Sequence, residues 1–449
     1  MNTKRIMVVL SAVVIAVVSL LSVEMEAVPS FSRQTGLPCS SCHYTYPELT
    51  PFGRWFKLNG YTQASIQKIT SKGGPSQSGL SLNQWLPVSV QFQLGDSMTD
   101  RPIPGSQNNS FEFPQSASLF LAGAVASKAG VFVQLTYSGQ SDHFGADNMD
   151  LRYANSTTFA GKDLVYGITL NNNPTVEDLW NDVPAWRYPW FGPDATPAPA
   201  AGTLIDGSLA QDVAGVGEYS MWDNHFYEDV SIYRTAHIGS PFPTTGTGFG
   251  INIRGVAPYW RLAWQQSKGN SYLEVGTYGM YVESSPNAVA GPFDKYMDVA
   301  GDAQYELVLP KLHNDVITVH TTYIHESNNQ LASFEQGLVA EPRHELNTYR
   351  LDGTYHFGNK YGLTMGYFLT YGFPDSVLYA PGSVSGSANG SPKSDGFTWQ
   401  AAYWPVQNIE LLGQYTDYLT FNGLSTNYDG AGRNASNNNA VYFMVQFVY

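Results

Sequence analysis

Apolar residues recur at every second position along much of this chain. Val88, Val90, Phe92 and Leu94 alternate with Ser89, Gln91 and Gln93. Val299, Ala303, Tyr305, Leu307 and Leu309 alternate with Asp298, Ala300, Asp302, Gln304 and Glu306. Leu363, Met365, Tyr367, Leu369 and Tyr371 alternate with small or polar residues, apart from Phe368. A period of two sends successive side chains to opposite faces of a strand. Segments of about ten residues with one apolar and one polar face, separated by turn residues, mark a transmembrane β-barrel. The pattern predicts 16 strands, beginning near 85, 116, 130, 147, 163, 226, 247, 258, 270, 297, 314, 343, 361, 395, 408 and 440. The segment 205–221 is a further candidate strand.

Connection lengths support the same reading. Long connections near 284–296, 327–342, 374–394 and 419–439 alternate with short ones at 268–269, 310–313, 358–360 and 405–407. Outer-membrane barrels join their strands in this way, with short periplasmic turns and long outer loops. An even strand count puts both termini on the periplasmic side. The connection 172–225, which carries Trp180, Trp186 and Trp190, is longer than compact domains usually tolerate without function. Val441, Phe443, Val445, Phe447 and the terminal Tyr449 share one face. In a soluble sandwich so long an apolar edge would invite aggregation. In a barrel it resembles the C-terminal signal read by bacterial barrel-assembly machinery. The expected fold class is all-β, a transmembrane antiparallel β-barrel preceded by a short N-terminal segment.

Composition narrows the choice. The chain has 449 residues, and charged residues are 13% of it, against roughly 25% in soluble domains. Aromatics make up 14%, with 29 tyrosines. A mean hydropathy of −0.21 argues against a bundle of apolar helices. The net charge of −14 argues against a nucleic-acid binder. Two cysteines exclude a disulfide scaffold. At the start, Lys4 and Arg5 precede an apolar run from Ile6 to Val23, followed by Glu24, Met25, Glu26 and Ala27. This reads as a secretory signal cleaved after Ala27, with an uncleaved anchor as the competing reading. The expected division is a signal at 1–27, a cofactor-binding segment at 28–84 and a barrel at 85–449.

Both cysteines fall in Cys39-Ser40-Ser41-Cys42-His43. Two thiols at this spacing suit thioether attachment of one haem c, with the next histidine as proximal ligand. A thioredoxin-like pair would need a βαβ context, and a zinc site would need further ligands nearby. Cys39, Cys42 and His43 are therefore the expected cofactor residues. The segment from Val28 to Thr62 is shorter than the roughly 40 residues below which domains usually need outside help to fold. The barrel is expected to complete its pocket. The distal ligand is open, with His320 and His356 as inward-facing candidates and Met98, His143 or a loop histidine as alternatives. Arg33, Arg54 and Lys57 are either propionate partners or solvated charges.

If apolar positions face lipid, Asp298, Asp302 and Glu306 line the lumen together with Glu274, Asp352 and Glu410. Arg152, Arg234, Arg254, Arg261 and Arg350 are expected to point inward too. Such a lumen either concentrates cations, with Asp298, Asp302 and Glu306 as the docking acids, or carries pore-lining salt bridges.

The stretch from Val28 to His43, VPSFSRQTGLPCSSCH, and its continuation from Pro47 to Tyr61, PELTPFGRWFKLNGY, resemble a known family. They are similar to the N-terminus of the fused monohaem cytochrome–porins, the outer-membrane ferrous-iron oxidases of iron-oxidising bacteria. The specific match covers about 35 residues, and the rest is a likeness of architecture. The resemblance implies that Cys39 and Cys42 attach haem and that His43 ligates it. It implies an oxidoreductase-type electron carrier in the bacterial outer membrane. Electrons would pass from extracellular Fe(II), or another small donor, to a periplasmic carrier such as a soluble cytochrome. Electron export and a diffusion porin with a structural haem are the alternatives.

Overall fold

The two-residue alternation becomes a ring of antiparallel strands that closes on itself. The computed structural model describes residues 30–74, 79–106, 108–236, 252–286 and 292–449. The expected signal, 1–27, lies outside the described residues. Sixteen strands form the ring. They are β1 Val88–Thr99, β2 Ser110–Ala126, β3 Ala129–Ser138, β4 His143–Phe159, β5 Lys162–Asn171, β6 Val213–Trp222, β7 Phe226–Thr235 and β8 Ala257–Lys268. The ring continues through β9 Ser271–Ser285, β10 Asp294–Leu309, β11 Asp315–Asn329, β12 Arg343–Phe357, β13 Tyr361–Gly372, β14 Ser394–Val406, β15 Ile409–Thr420 and β16 Ala440–Val448. Each strand pairs with the next in the chain, and β16 returns to β1 with Val445 opposite Leu94. Closure leaves no edge strand among them, which is what a bilayer demands of a sheet.

The count of sixteen is reached by exchanging one expected strand for another. The strand expected near 247 does not stand alone. Its described residues, Asn252 and Ile253, pair with Ser285 and Ser284 of β9 and prolong β8 beyond an irregular step at 254–256. The missing member is β6, which overlaps the alternative segment 205–221 and pairs with β5 and β7.

The outer face is apolar. Leu119, Leu121, Val230, Ile232, Leu262, Val275, Val299, Leu363 and Met365 are exposed across its middle. Exposed aromatics ring both rims, with Phe111, Phe113, Phe144 and Phe373 at the long-connection end and Phe159, Phe226, Phe357 and Tyr361 at the short-turn end. A hydrocarbon-facing belt between two aromatic girdles is the outer surface of a membrane barrel. No helix among the described residues is long and apolar enough to cross a membrane.

Among the described residues, two segments occupy the lumen. The N-terminal segment contributes α1, Ser30–Thr35, and α2, Pro51–Leu58, with the cysteine motif between them. It enters from the short-turn end, where Cys39 N–H donates to the side-chain oxygen of Gln407, in the turn between β14 and β15, at 2.8 Å. The second segment is 172–212, which joins β5 to β6 and folds inward from the opposite end. Val176, Leu179, Trp180 and Val183 in it are buried. The two meet inside the barrel, where Lys57 Nζ donates to the Val176 carbonyl at 2.8 Å and Asn181 Nδ2 donates to the Pro47 carbonyl at 2.9 Å.

Candidate functional site

The cysteine motif is held by its own backbone before the barrel touches it. Cys39–Ser41 form one tight helical turn, and the N–H groups of Cys42 and His43 both donate to the Cys39 carbonyl, at 3.0 and 2.9 Å. Thr50 caps α2 by accepting from Gly53 N–H at 3.2 Å, and its own N–H donates to the Cys42 carbonyl at 2.9 Å. Pro51 sits at the first turn of α2, where a missing N–H costs nothing. This seats α2 directly on the motif. A Cβ at Gly53 would lie 2.2 Å from the Cys42 carbonyl oxygen, so only glycine fits there.

Cys39, Cys42 and His43 line a cavity of about 530 Å³. Its walls come from all three parts of the molecule. Phe31, Leu49, Phe56 and Tyr61 come from the N-terminal segment, Phe120 and Phe132 from the lumen faces of β2 and β3, and Trp186, Trp190 and Phe191 from the inward loop. Phe132 joins them, with ring centroids 5.8 Å from Phe120, 6.0 Å from Trp186 and 6.5 Å from Tyr61. An apolar cavity of this size suits a flat, largely apolar cofactor.

The donor set fits a c-type haem. Both thiols are free. Burial and the neighbouring Cys39 push the Cys42 thiol up to about 11. The His43 ring lies against the Pro47 and Glu48 backbone, and its Nδ1 is shielded without a hydrogen-bond partner. Burial lowers the His43 imidazole to about 4, so the ring is neutral, the form that binds iron. These residues would hold one haem through Cys39 and Cys42, with His43 on its iron.

The distal candidates lie elsewhere. His320 on β11 and His356 on β12 do not line the cavity among its described residues. Both turn toward Glu48 of the N-terminal segment, at 3.6 and 3.2 Å, and His320 Nδ1 is also 2.9 Å from Asp352. Burial would raise the Glu48 carboxyl, but His356 and His320 outweigh it and hold it below the ordinary range. The two histidines are therefore engaged by a carboxylate of the N-terminal segment, away from the cavity. Met98 sits opposite the lipid-facing Val441, and His143 is exposed at the start of β4, so neither reaches the cavity.

The expected propionate partners are also spoken for. Arg54 pairs with Glu306. Arg33 donates to the Val88 carbonyl. Lys57 lines the cavity, but its Nζ is held by Val176, Asp178 and Asn181. Sequence reasoning missed Arg187, which also lines the cavity and lies 3.2 Å from Asp206. The Trp-rich connection was the signal available for it.

The lumen acids face inward as expected. Asp298, Asp302, Glu306, Glu274, Asp352 and Glu410 are all buried. They are engaged with protein groups, which leaves little of an open docking surface. Glu306 takes Arg54 and accepts from Tyr44 at 3.1 Å, Asp302 takes Arg261, and Asp298 accepts the Ile205 N–H at 2.7 Å. Arg152, Arg261 and Arg350 face inward. Arg234 and Arg254 do not. Arg234 shares the exposed face of β7 with Val230 and Ile232, and Arg254 lies in the irregular step before β8, 4.1 Å over the Phe293 ring.

No family model matches the chain. One curated protein, the Iroquois-class homeodomain protein irx-4-A of Xenopus laevis, is 34% identical over 94 residues, 20% of this chain. The chain spans 18% of that protein's length, too little to assign a family. Among solved structures, in-vitro folded OmpT, an outer membrane protein of Vibrio cholerae, is 12% identical over 81% of this chain and 96% of its own, with a TM-score of 0.42. The outer membrane channel DcaP of Acinetobacter baumannii is 12% identical over 81% of this chain and 96% of its own, with a TM-score of 0.45. An anion-selective porin from Comamonas acidovorans is 12% identical over 81% of this chain and 98% of its own, also at 0.45. Likenesses this distant add nothing to the barrel's own register. The closed antiparallel ring, its apolar belt and its alternation of short turns and long connections are those of a bacterial outer-membrane, porin-like barrel.

Proposed function

We propose that this protein is an outer-membrane electron-transfer protein carrying one covalently attached haem c. In this reading it oxidises extracellular Fe(II) and passes electrons to a periplasmic carrier. One observation carries it: Cys39, Cys42 and His43 line an apolar cavity inside a closed barrel, roofed by the barrel's own inward loop. When bound, the haem would supply a one-electron couple.

The chain's residues divide the remaining work. His43 offers a neutral imidazole. Phe120, Phe132 and Trp186 exclude water, which favours the less charged ferrous form. Gln407 ties Cys39 to a short turn at the end assigned to the periplasm, so an acceptor docking there has the shorter path. Oxidation on the outer side keeps ferric precipitate out of the periplasm. Fe(II) needs only a hard, oxygen-rich docking site. With Glu306 and Asp302 both buried away from the open lumen, that role falls to outer-loop carboxylates.

The test uses the purified detergent-solubilised protein. A reduced-minus-oxidised spectrum should carry the bands of a thioether-linked haem. Stopped-flow mixing with Fe(II) between about pH 3 and 7 should reduce it. A preparation without such a spectrum sinks the cofactor. No reduction at any pH sinks the electron donor, and a midpoint well below the Fe(III)/Fe(II) couple favours electron export.

A further inference from the structure

A second charged cluster is sealed between the inward loop and the barrel wall. Asp178 and Asp182 come from the loop, Arg261 from β8, Glu274 from β9 and Asp302 from β10. Arg261 Nε donates to Asp178 Oδ1 at 2.7 Å, and its Nη1 and Nη2 donate to the two Asp302 oxygens at 2.7 and 2.8 Å. Nη2 also reaches Glu274 Oε1 at 3.3 Å and stands 3.8 Å from Asp182 Oδ1. One guanidinium thus faces four carboxylates, every one with a side chain no more than 1% exposed.

The other cations nearby do not close this account. Lys57 Nζ ends on the Val176 and Asp178 carbonyls and the Asn181 side-chain oxygen, Arg54 on Glu306, and His320 on Asp352 and Glu48. Asp178 is fully used, since its second oxygen accepts the N–H groups of Trp180 and Asn181 at 3.0 and 2.7 Å. Asp182 is not, and neither of its oxygens has a hydrogen-bond partner. Glu274 Oε2 has none either. Leaving an ionised carboxylate buried and unpaired costs several kcal/mol. A structure relieves that cost with a proton or with a metal.

The geometry favours the metal. Ligand oxygens of Asp182, Glu274 and Asp302 all lie within 4.8 Å of one another. Opposed oxygens around a calcium-type ion, at roughly 2.4 Å each, stand about 4.8 Å apart. Three carboxylate oxygens gathered this closely can share a single ion. An all-oxygen, all-carboxylate set selects hard divalent cations over softer ones.

We propose that Asp182, Glu274 and Asp302 form a site for one hard divalent cation of the calcium type, which fastens the inward loop to the barrel wall. Asn181 and Pro184, on either side of Asp182, line the cavity beside the cysteine motif. The ion therefore fixes the stretch that brings Trp186 and Trp190 over that cavity. The proposal depends neither on the haem nor on its electron donor.

The test uses the full-length protein purified in detergent, stripped with a chelator and titrated with Mn(II) under electron paramagnetic resonance. The expected result is one Mn(II) per barrel, displaced by Ca(II). Asp182→Asn and Glu274→Gln should each weaken binding by more than about a hundredfold, beyond the roughly 10- to 100-fold that outer-shell losses cost. Asp229→Asn, a buried carboxylate outside the cluster, should bind as wild type. Heat-modifiable gel mobility confirms that each variant is a folded barrel, and the wild-type stoichiometry decides the matter should a variant fail to fold. Wild type that binds no Mn(II), and shows in the infrared a protonated carboxyl band lost in Asp182→Asn, overturns the proposal in favour of protons.

Discussion

The ion pair between Arg54 of α2 and Glu306 of β10 should be the main fastening of the N-terminal segment to the lumen wall. Their side chains are 6% and 3% exposed, so solvent screening does not discount the pair. The guanidinium also donates to the Leu49 carbonyl at 3.0 Å and lies 4.3 Å over the Tyr272 ring. The carboxylate accepts from Gln304 at 2.8 Å and from Tyr44 at 3.1 Å. Arg54→Met would leave Glu306 charged and unpaired, and Glu306→Gln would do the same to Arg54. Each single change should cost about 3–5 kcal/mol, the penalty for orphaning a buried charge. The double variant orphans neither and should cost only ~1–2 kcal/mol, from lost hydrogen bonds. The cycle then yields a coupling of at least about 4 kcal/mol. Limited proteolysis of the segment in the intact detergent-solubilised protein reads this, where cleavage follows the open population. At about 1.4 kcal/mol per decade, each single variant should be cleaved roughly 10²- to 10⁴-fold faster. Single variants within threefold of wild type, or a double variant as fast as the product of the two, would refute the reasoning.

The remaining predictions follow from the cavity and the plugged lumen. His43→Ala should keep the covalent cofactor, because Cys39 and Cys42 are untouched, but shift its absorption bands and weaken its iron ligation; an unchanged spectrum would remove His43 as the ligand. Gly53→Ala should lower cofactor content and destabilise the segment by about 1–3 kcal/mol, since the new methyl meets the Cys42 carbonyl; normal loading and stability would contradict the seating of α2 on the motif. Phe132→Ala should destabilise the cavity wall by about 3–5 kcal/mol and lower the midpoint potential by admitting water, read by potentiometry. In planar bilayers the intact protein should conduct far less than an open porin, and deleting residues 30–62 should raise the conductance.

Parity along the strands was legible because each apolar position had only one place to go. The inward acids of β10 follow from the same parity that sends Val299 and Tyr305 to lipid. Arg234 was legible too, since it shares parity with Val230 and Ile232, but its charge was read ahead of its position. It lies near the rim, where a long side chain can snorkel to the interface. The motif at Cys39, Cys42 and His43 was legible because its chemistry is local. What lay beyond reach was set by packing between distant segments. Nothing in Trp180 or Trp186 says that a connection folds inward rather than outward. Nothing in His320 or His356 says that Glu48 takes both. The exchange of an expected strand near 247 for β6 has a similar origin, because β6 is defined by partners in β5 and β7 that register alone supplies.

The two faces of the N-terminal segment explain why a polar lumen carries aromatic side chains at all. Phe31 packs on Phe56 and Tyr61, with ring centroids 5.1 and 5.5 Å away, and this apolar face meets Phe132 and Ala124 of the wall. The opposite face carries Glu48 and Arg54, and it meets His320, His356 and Glu306 on β10 to β12. A segment too short to bury its own apolar face borrows that burial from β2, β3 and the inward loop. The charges on its other face are neutralised by a wall that elsewhere in such barrels faces water. An open channel would keep its wall charges hydrated, whereas here the arginines and histidines of one element answer the carboxylates of another. The lumen is therefore built as a socket for this segment, and the cavity beside the cysteine motif is the space left between socket and plug.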